Sequence, residues 1–455
     1  MAGTCASKPE DGFEGTIHRR YFAAGILTLL TAGATWGMWL LWRIGFSGKF
    51  TGVSLHEVNA HGHAQIFGWV GLFVMGFGYR VFPRWWQTRL AWARLAGVAF
   101  GLMLVGLALG TVGMTAAGQP RALSMAMAGG GMEVLAICCF AVQVVATFAL
   151  SQAPRDAHVG FVMAGVAFFV IQAGVSIWHT WRTMAAGTQE ELLWQVATWQ
   201  APLRDVQIHG LALLMILGVS LRMLPAWYDV PRISERRAWV ALWTLVAAVV
   251  LEVGIFVAYR ESGRHWIAAF LMAPWVMLVV GVWMVIARWR VLSHGLRVRR
   301  GDPRDRSAKF IRAAYVWLMV SLTMLLLLPA YQAASRIPFS HAYYGAVRHA
   351  ITVGFVSLMI MGVAAKVAPR LQGVDPRELS RLWGPFVLIN IGCAWRVVLQ
   401  ILTDWLPGAY TFVGVSGVLE VTAMAWWGVG LMRVMWRREP EMARVGVALT
   451  VLQNA

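Results

Sequence analysis

Charged residues are scarce in this chain of 455 residues. Asp, Glu, Lys and Arg together make up 13% of it, whereas 59% of the residues are hydrophobic. Soluble domains carry about 25% charged residues, so the composition excludes a protein built mainly of soluble domains. The excess apolar surface must face lipid, and we expect an α-helical membrane protein whose main partner is the bilayer.

Cysteines and acidic residues are also few. The four cysteines offer no disulfide framework, and small buried apolar roles suit them. Acidic residues number 21 against 39 Lys and Arg, a formal net charge of +18. Since the bases lie in short connectors between apolar runs, they follow the positive-inside rule, and we expect no nucleic-acid partner. The polar first twenty residues do not resemble a signal peptide, so the first apolar run reads as a retained span.

Twelve apolar runs are long enough to cross a bilayer, which takes about 20 helical residues. They cover residues 21–42, 61–82, 90–114, 125–150, 159–181, 206–224, 238–259, 266–289, 313–333, 349–368, 382–402 and 411–436. With these runs as spans, 29 of the 39 Lys and Arg lie on the side of the two termini and 9 on the other side. The bias predicts cytoplasmic N- and C-termini, a cytoplasmic basic loop at 290–312, and one transmembrane domain over 1–455.

Three of these runs share a frame that ends in proline. The prolines are Pro83, Pro225 and Pro369, and they are spaced 142 and 144 residues apart. In each frame, one glycine stands fifteen residues before the proline, a second glycine seven residues before it and an Arg or Lys three residues before it. Because that spacing holds four spans, the sequence predicts an all-α fold of three four-helix pseudo-repeats. The predicted pseudo-repeats are residues 21–150, 159–289 and 313–436.

Eight of the eleven histidines fall at or near the predicted outer face. His63 and His349 hold equivalent positions in the first and third frames, Asp205 holds that place in the second, and His209 lies one turn deeper. Histidines on two pseudo-symmetric helices can face each other across an interior, as a bis-histidine heme requires. His61 and His63 point in nearly opposite directions on a helix, so they serve two centres, or one of them caps the helix.

Ionisable groups inside spans are costly and are usually functional. The candidate metal ligands are His56, His61, His63, His209 and His349. Three further histidines at span ends, His179, His265 and His341, are expected to be interfacial.

Three glutamates also lie inside the apolar runs. Glu133, Glu252 and Glu420 can carry protons, bind a cation or accept a hydrogen bond from a ligand histidine. Glu133 and Glu420 are the candidate catalytic residues, and pairing of these glutamates with Arg396 is an equal alternative. We expect Arg348 and Arg396 to hold heme propionates by charge-assisted hydrogen bonds.

Two motifs in the repeat frames resemble those of a known family. Residues 61–68 read HGHAQIFG and residues 79–83 read YRVFP, similar to the H-x-H…F-G and G-R-V-x-P elements of the NnrS family. Residues 349–354 read HAITVG, similar to that family's H-A-L-T-V-G motif. The resemblance implies a bacterial inner-membrane protein that contains heme b and copper, with nitric oxide as its small-molecule partner in nitric oxide metabolism or nitrosative stress resistance. Ala64 stands where the family often has glutamate.

The predicted architecture is similar as well to the catalytic subunit of heme-copper oxidases and nitric oxide reductases. That resemblance implies a low-spin heme pair from His63 and His349 and a copper ligand at His209. The run 238–259 contains no histidine, so a full heme–copper centre is not expected. Nitric oxide reduction, a copper or heme carrier, and a divergent oxidase-like subunit stay open as functions, as do the electron donor and the oligomeric state.

Overall fold

The computed structural model describes residues 13–292, 307–372, 374, 379 and 382–437. Most of the predicted basic loop, with His294, lies outside these residues, as do Cys5 and the chain after residue 437. The described part is helical and contains no β-strand, as the predicted all-α class requires.

Within the described residues, twelve helices are long and apolar enough to cross a membrane, which confirms the predicted number of spans. Spans 1 to 12 are Gly15–Ser47, Leu55–Trp85, Ala93–Thr115, Ala122–Ala149, Ala157–Met184, Gln189–Trp227, Glu235–Ser262, His265–Trp289, Ala308–Leu326, His341–Leu371, Trp383–Leu402 and Ala409–Trp436. A short helix, Leu328–Ser335, stands between spans 9 and 10.

Spans 2, 6 and 10 form the centre of the bundle. Their most apolar stretches are 94, 78 and 83% buried, against 33–50% for the other nine spans of the described chain. Each begins one or more turns earlier than its apolar run, directly after a capping side chain: Ser54, Thr188 and Ser340 each accept a backbone N–H of the first turn. Such caps satisfy helix donors that have no intrahelical partner, so the polar segments before the runs are helical too.

Each central span contains a stretch of π-helix, Ala64–Gly71, Val206–Leu213 and Ala350–Ser357. These stretches start at equal distances before Pro83, Pro225 and Pro369, and each proline lies in the last turn of its span. A π-helix accommodates about one extra residue per turn and is frequently found at functional sites. His63 and His349 directly precede the first and third stretches.

The repeat glycines pack against the first span of each predicted repeat. A methyl group added at Gly68, Gly210 or Gly354 would lie within 2.6 Å of Thr28, Phe168 or Trp317. The second set, Gly76, Gly218 and Gly362, contacts the same three spans one to two turns further along. These close approaches are the ones that the pseudo-repeat predicts, since small residues let helix backbones meet in lipid; the repeat itself stays a prediction.

Candidate functional site

A cavity of about 310 Å³ lies beside the central spans. Its walls come from spans 1, 2, 6, 10, 11 and 12, and they include five of the predicted site residues: His61, Arg348, His349, Arg396 and Glu420. Pockets that hold cofactors enclose roughly 300–1,000 Å³, so the cavity is large enough for a sizeable group. We refer to it as the central cavity.

His61 is held in one orientation by span 1. Its Nδ1 lies 3.0 Å from the carbonyl oxygen of Gly33, which ends a π-helical turn, Leu29–Gly33. A carbonyl oxygen can only accept a hydrogen bond, so Nδ1 carries the proton. Nε2 therefore has a free lone pair. Nε2 forms no hydrogen bond with any described residue. Gly37 leaves room for the ring, since a methyl group there would stand 2.4 Å from His61 Cε1.

His349 stands in the wall of the same cavity and is bound to a carboxylate. Its Nε2 lies 3.0 and 3.1 Å from the two carboxylate oxygens of Glu420 on span 12. Both side chains line the central cavity. A carboxylate that accepts a hydrogen bond from an imidazole fixes the orientation of the ring, so the pair can share a proton at the cavity wall.

Three arginines, Arg204, Arg348 and Arg396, give the central cavity a positive wall. Arg204 donates to Gln207 at 2.7 Å, and Arg348 lies 3.8 Å from Asp205. The Nε and Nη1 atoms of Arg396 are buried and have no hydrogen-bond partner among the described residues. Guanidinium atoms that are buried without a hydrogen-bond partner are costly, so the cavity suits an anionic group. Heme fits this donor set, since it brings two carboxylates and an iron that takes imidazole.

His63 lies in a different pocket from His349. It stacks on Phe67 with ring centroids 4.3 Å apart, and its Nε2 is 2.7 Å from Glu133 on span 4. Both residues line a small pocket between spans 2, 3, 4 and 5. The structure therefore does not bring His63 and His349 together; His61 shares the cavity with His349 instead. The physical reason is the two-residue offset, which turns the two imidazoles to opposite sides of the helix.

A third histidine–carboxylate group joins spans 6 and 7. His209 Nδ1 lies 2.9 Å from Glu252, and donor atoms of Asp205, His209 and Glu252 all lie within 4.8 Å of one another. All three side chains are buried. The Nε1 atom of Trp275 on span 8 donates to the other oxygen of Glu252 at 2.9 Å.

Each of the three glutamates thus pairs with a histidine. The sequence had left pairing of these glutamates with Arg396 as an equal alternative. Glu133, Glu252 and Glu420 lie 2.7 to 3.0 Å from His63, His209 and His349 in that order. None of the three is within ion-pair distance of Arg396 in the described part of the chain. His56 stands in the capped first turn of span 2 and lines neither pocket described above.

Sequence reasoning missed three parts of the site and misplaced one histidine. It did not single out Arg204, the carbonyl of Gly33, or Asp205 as a candidate ligand, although Asp205 stands at the histidine position of the second frame. His179, expected at the interface, is 2% exposed, and its Nε2 has no partner in the described residues. The π-helical turn at whose end the Gly33 carbonyl lies has no recognisable pattern in the sequence.

The fold and the site define a polytopic helical membrane protein with imidazole–carboxylate pairs inside its bundle. The model of the family described as NnrS protein matches residues 15–438. The chain therefore belongs to the NnrS family. The search of curated proteins found no match.

Proposed function

We propose that the chain is a heme protein of the bacterial inner membrane that binds nitric oxide in nitrosative stress resistance or nitric oxide metabolism. The observation that supports it most is that one cavity exposes an unpartnered imidazole nitrogen, on His61, and unpartnered guanidinium atoms, on Arg396. A heme would take an imidazole for its iron and positively charged partners for its propionates, and the cavity offers both. Membership of the NnrS family supports the link to nitric oxide.

His61 would hold the heme iron, and Arg204, Arg348 and Arg396 would hold the propionates. A heme bound there would supply iron chemistry for a small diatomic gas. His349 and Glu420 line the same cavity, and the pair holds a proton there by its hydrogen bonds. Glu420 is thus the better supported of the two candidate catalytic residues. Glu133 would hold His63 in the adjacent small pocket.

Copper is the second cofactor that we propose. His56 and His63 are among its candidate ligands. His63 lines the small pocket and not the central cavity, so a copper there would form a centre of its own. Whether nitric oxide is reduced depends on the electron supply: reduction consumes electrons and protons, and His349–Glu420 is positioned to carry the protons.

Absorption spectra of four purified variants test the heme assignment. His61→Ala should abolish the Soret band, since it removes the ligand, and Arg396→Gln should weaken heme binding about tenfold or more, since it removes a charge-assisted contact. His63→Ala is the matched control, because it removes a buried imidazole two residues away that does not line the cavity; it should leave the Soret band in place. His349→Ala should keep the heme but change the spectrum of its nitric oxide complex.

A Soret band that survives His61→Ala and disappears in His63→Ala would contradict the assignment. A protein produced with ample heme that shows no Soret band would favour the second function, a copper or heme carrier that uses the same histidines transiently. Metal uptake into vesicles would identify the carrier, whereas oxygen consumption with an electron donor by a protein that does contain heme would identify a divergent oxidase-like subunit.

The orientation and the repeat complete the proposal. Both termini would be cytoplasmic, with the histidine-rich end of the bundle towards the periplasm, as the distribution of Lys and Arg supports. The three pseudo-repeats, 21–150, 159–289 and 313–436, are supported by the equal placement of the π-helical stretches and by the six glycine contacts.

A further inference from the structure

The second frame differs from the other two in a way that assembles three potential ligands. Where the first and third frames have a histidine, it has Asp205, and His209 follows four residues later. Positions i and i+4 lie on one face of a helix, so both side chains point towards span 7. Glu252 of that span completes a group that is the only set of three such donors found in the described residues.

The distances within this group are compatible with one bound metal ion. His209 Nδ1 and the nearest Glu252 oxygen are 2.9 Å apart. Two ligand atoms at about 2.1 Å from one ion and at right angles to each other are separated by about 3 Å. The three donor atoms lie within 4.8 Å of one another, so a shift of under about 1 Å closes the set around one ion. The pairs His63–Glu133 and His349–Glu420 have no third donor of this kind within the described chain.

Neighbouring residues orient the three side chains, as residues around a metal site orient its ligands. Trp275 donates to the Glu252 oxygen that does not face His209, at 2.9 Å. Asp205 lies 3.8 Å from Arg348. Ligating carboxylates are typically oriented by such outer hydrogen bonds. The three candidate ligands are 7, 6 and 3% exposed, which excludes a loose surface cluster.

We infer that Asp205, His209 and Glu252 form a non-heme site for a divalent first-row metal ion, with iron, manganese or zinc preferred to copper(I). Two carboxylates and one imidazole are hard to borderline donors, whereas copper(I) prefers thiolate and thioether. The two carboxylates balance the charge of a divalent ion by themselves. Arg348, which lies 3.8 Å from Asp205, also forms part of the wall of the central cavity.

This inference goes beyond the proposed function and requires no heme. Its failure can be told from that of the proposed function, because the heme has its own absorption and its own ligand, His61. Arg348 is the one residue that both sites share.

Titration of the chelator-stripped full chain with Mn²⁺, followed by electron paramagnetic resonance and metal analysis, tests the site. One Mn²⁺ per chain should bind, and His209→Ala and Glu252→Gln should each lower its affinity at least about tenfold, with the Soret band unchanged. Trp275→Phe should weaken binding by a smaller factor. His158→Ala is the matched control: it removes a buried imidazole that is also paired with a carboxylate, Asp156, but lacks a third donor, so Mn²⁺ binding should persist.

Three results would overturn the inference. One is a wild-type chain that binds no Mn²⁺, Fe²⁺ or Zn²⁺ after stripping. Another is binding that survives both His209→Ala and Glu252→Gln. The third is a parallel loss of metal and heme in Glu252→Gln and Trp275→Phe, since a shared loss marks a purely structural hydrogen-bond group.

Discussion

At the scale of single residues, the state of His61 depends on one carbonyl group. The Gly33 oxygen fixes which ring nitrogen carries the proton, and the missing side chain of Gly37 leaves space for the ring. His63, two residues on, meets a carboxylate and not a carbonyl. The neighbouring imidazoles thus have different chemistry: the first offers a free lone pair to the cavity, and the second has its Nε2 engaged.

Gly37→Ala tests this arrangement without removing a ligand. The added methyl group would stand 2.4 Å from His61 Cε1, whereas carbon atoms in contact prefer about 3.5–4.0 Å. The ring must move by about 1 Å, so heme content should fall about tenfold or more. The pyridine hemochrome spectrum per mole of purified protein measures the change.

The matched control is Gly101→Ala in span 3, where an added methyl group meets nothing within 4 Å. It should bind heme as the wild type does. Equal heme content in the Gly37 and Gly101 variants would mean that His61 does not depend on this contact and is free to reorient.

At the scale of helices, the glycines decide how closely spans approach each other. In span 6, a methyl group at Gly218 would lie 2.8 Å from Phe161 Cβ and 3.1 Å from the backbone nitrogen of Val162. Because backbone atoms are in the way, the helices must separate. Overpacking of this kind costs about 1–3 kcal/mol.

Gly218→Ala should therefore lower the thermal stability of the purified chain, and Gly76→Ala and Gly362→Ala should do the same if the three repeats are equivalent. Gly174→Ala in span 5 is the control, since its added methyl group meets nothing within 4 Å; alanine there should stabilise by about 0.5–1 kcal/mol. Loss of the folded peak in size-exclusion chromatography after heating gives the midpoints. A Gly218 variant as stable as the Gly174 variant would speak against the close contact.

Most helices could be predicted from the sequence because lipid enforces long apolar runs. What the runs did not reveal are the polar ends of the central spans. Leu55, Gln189 and His341 begin these spans, yet the segments that follow them are polar and resemble connectors. The caps Ser54, Thr188 and Ser340 were a usable signal. The π-helical stretches were not predictable, since they arise from packing between spans and leave no periodic mark.

Most of the site residues could be identified from the sequence, but which of them lie next to each other could not. The glutamates were found because a carboxylate inside an apolar run is conspicuous. The choice between His61 and His63 depends on how span 2 is rotated about its axis, and residue spacing alone sets only their relative directions. Because His63 and His349 hold equivalent positions in their frames, the sequence favoured His63 as the partner of His349. The structure instead places His61 in the central cavity with His349.

At the scale of the whole molecule, the twelve spans and the charge bias determine where each connector should lie. An even number of spans predicts that both ends lie on one side, and the 29 of 39 Lys and Arg on that side predict that it is the cytoplasm. Connectors would then alternate, and the histidine-rich ends of spans 2, 6 and 10 would lie towards the periplasm. Nitric oxide would reach the central cavity from that side or from the lipid.

Single cysteines in the connectors test this topology in a chain whose four native cysteines are replaced by alanine. Gly187→Cys and Gly408→Cys stand in exposed connectors of the predicted periplasmic side, and Gln152→Cys and Asp229→Cys in exposed connectors of the cytoplasmic side. A membrane-impermeant maleimide added to intact spheroplasts should label the first two, and the other two only after the membrane is opened. The opposite pattern would invert the protein and place the histidines at the cytoplasmic face. Labelling of Gly187→Cys together with Asp229→Cys would remove span 6 from the membrane, and with it the central cavity that the heme assignment requires.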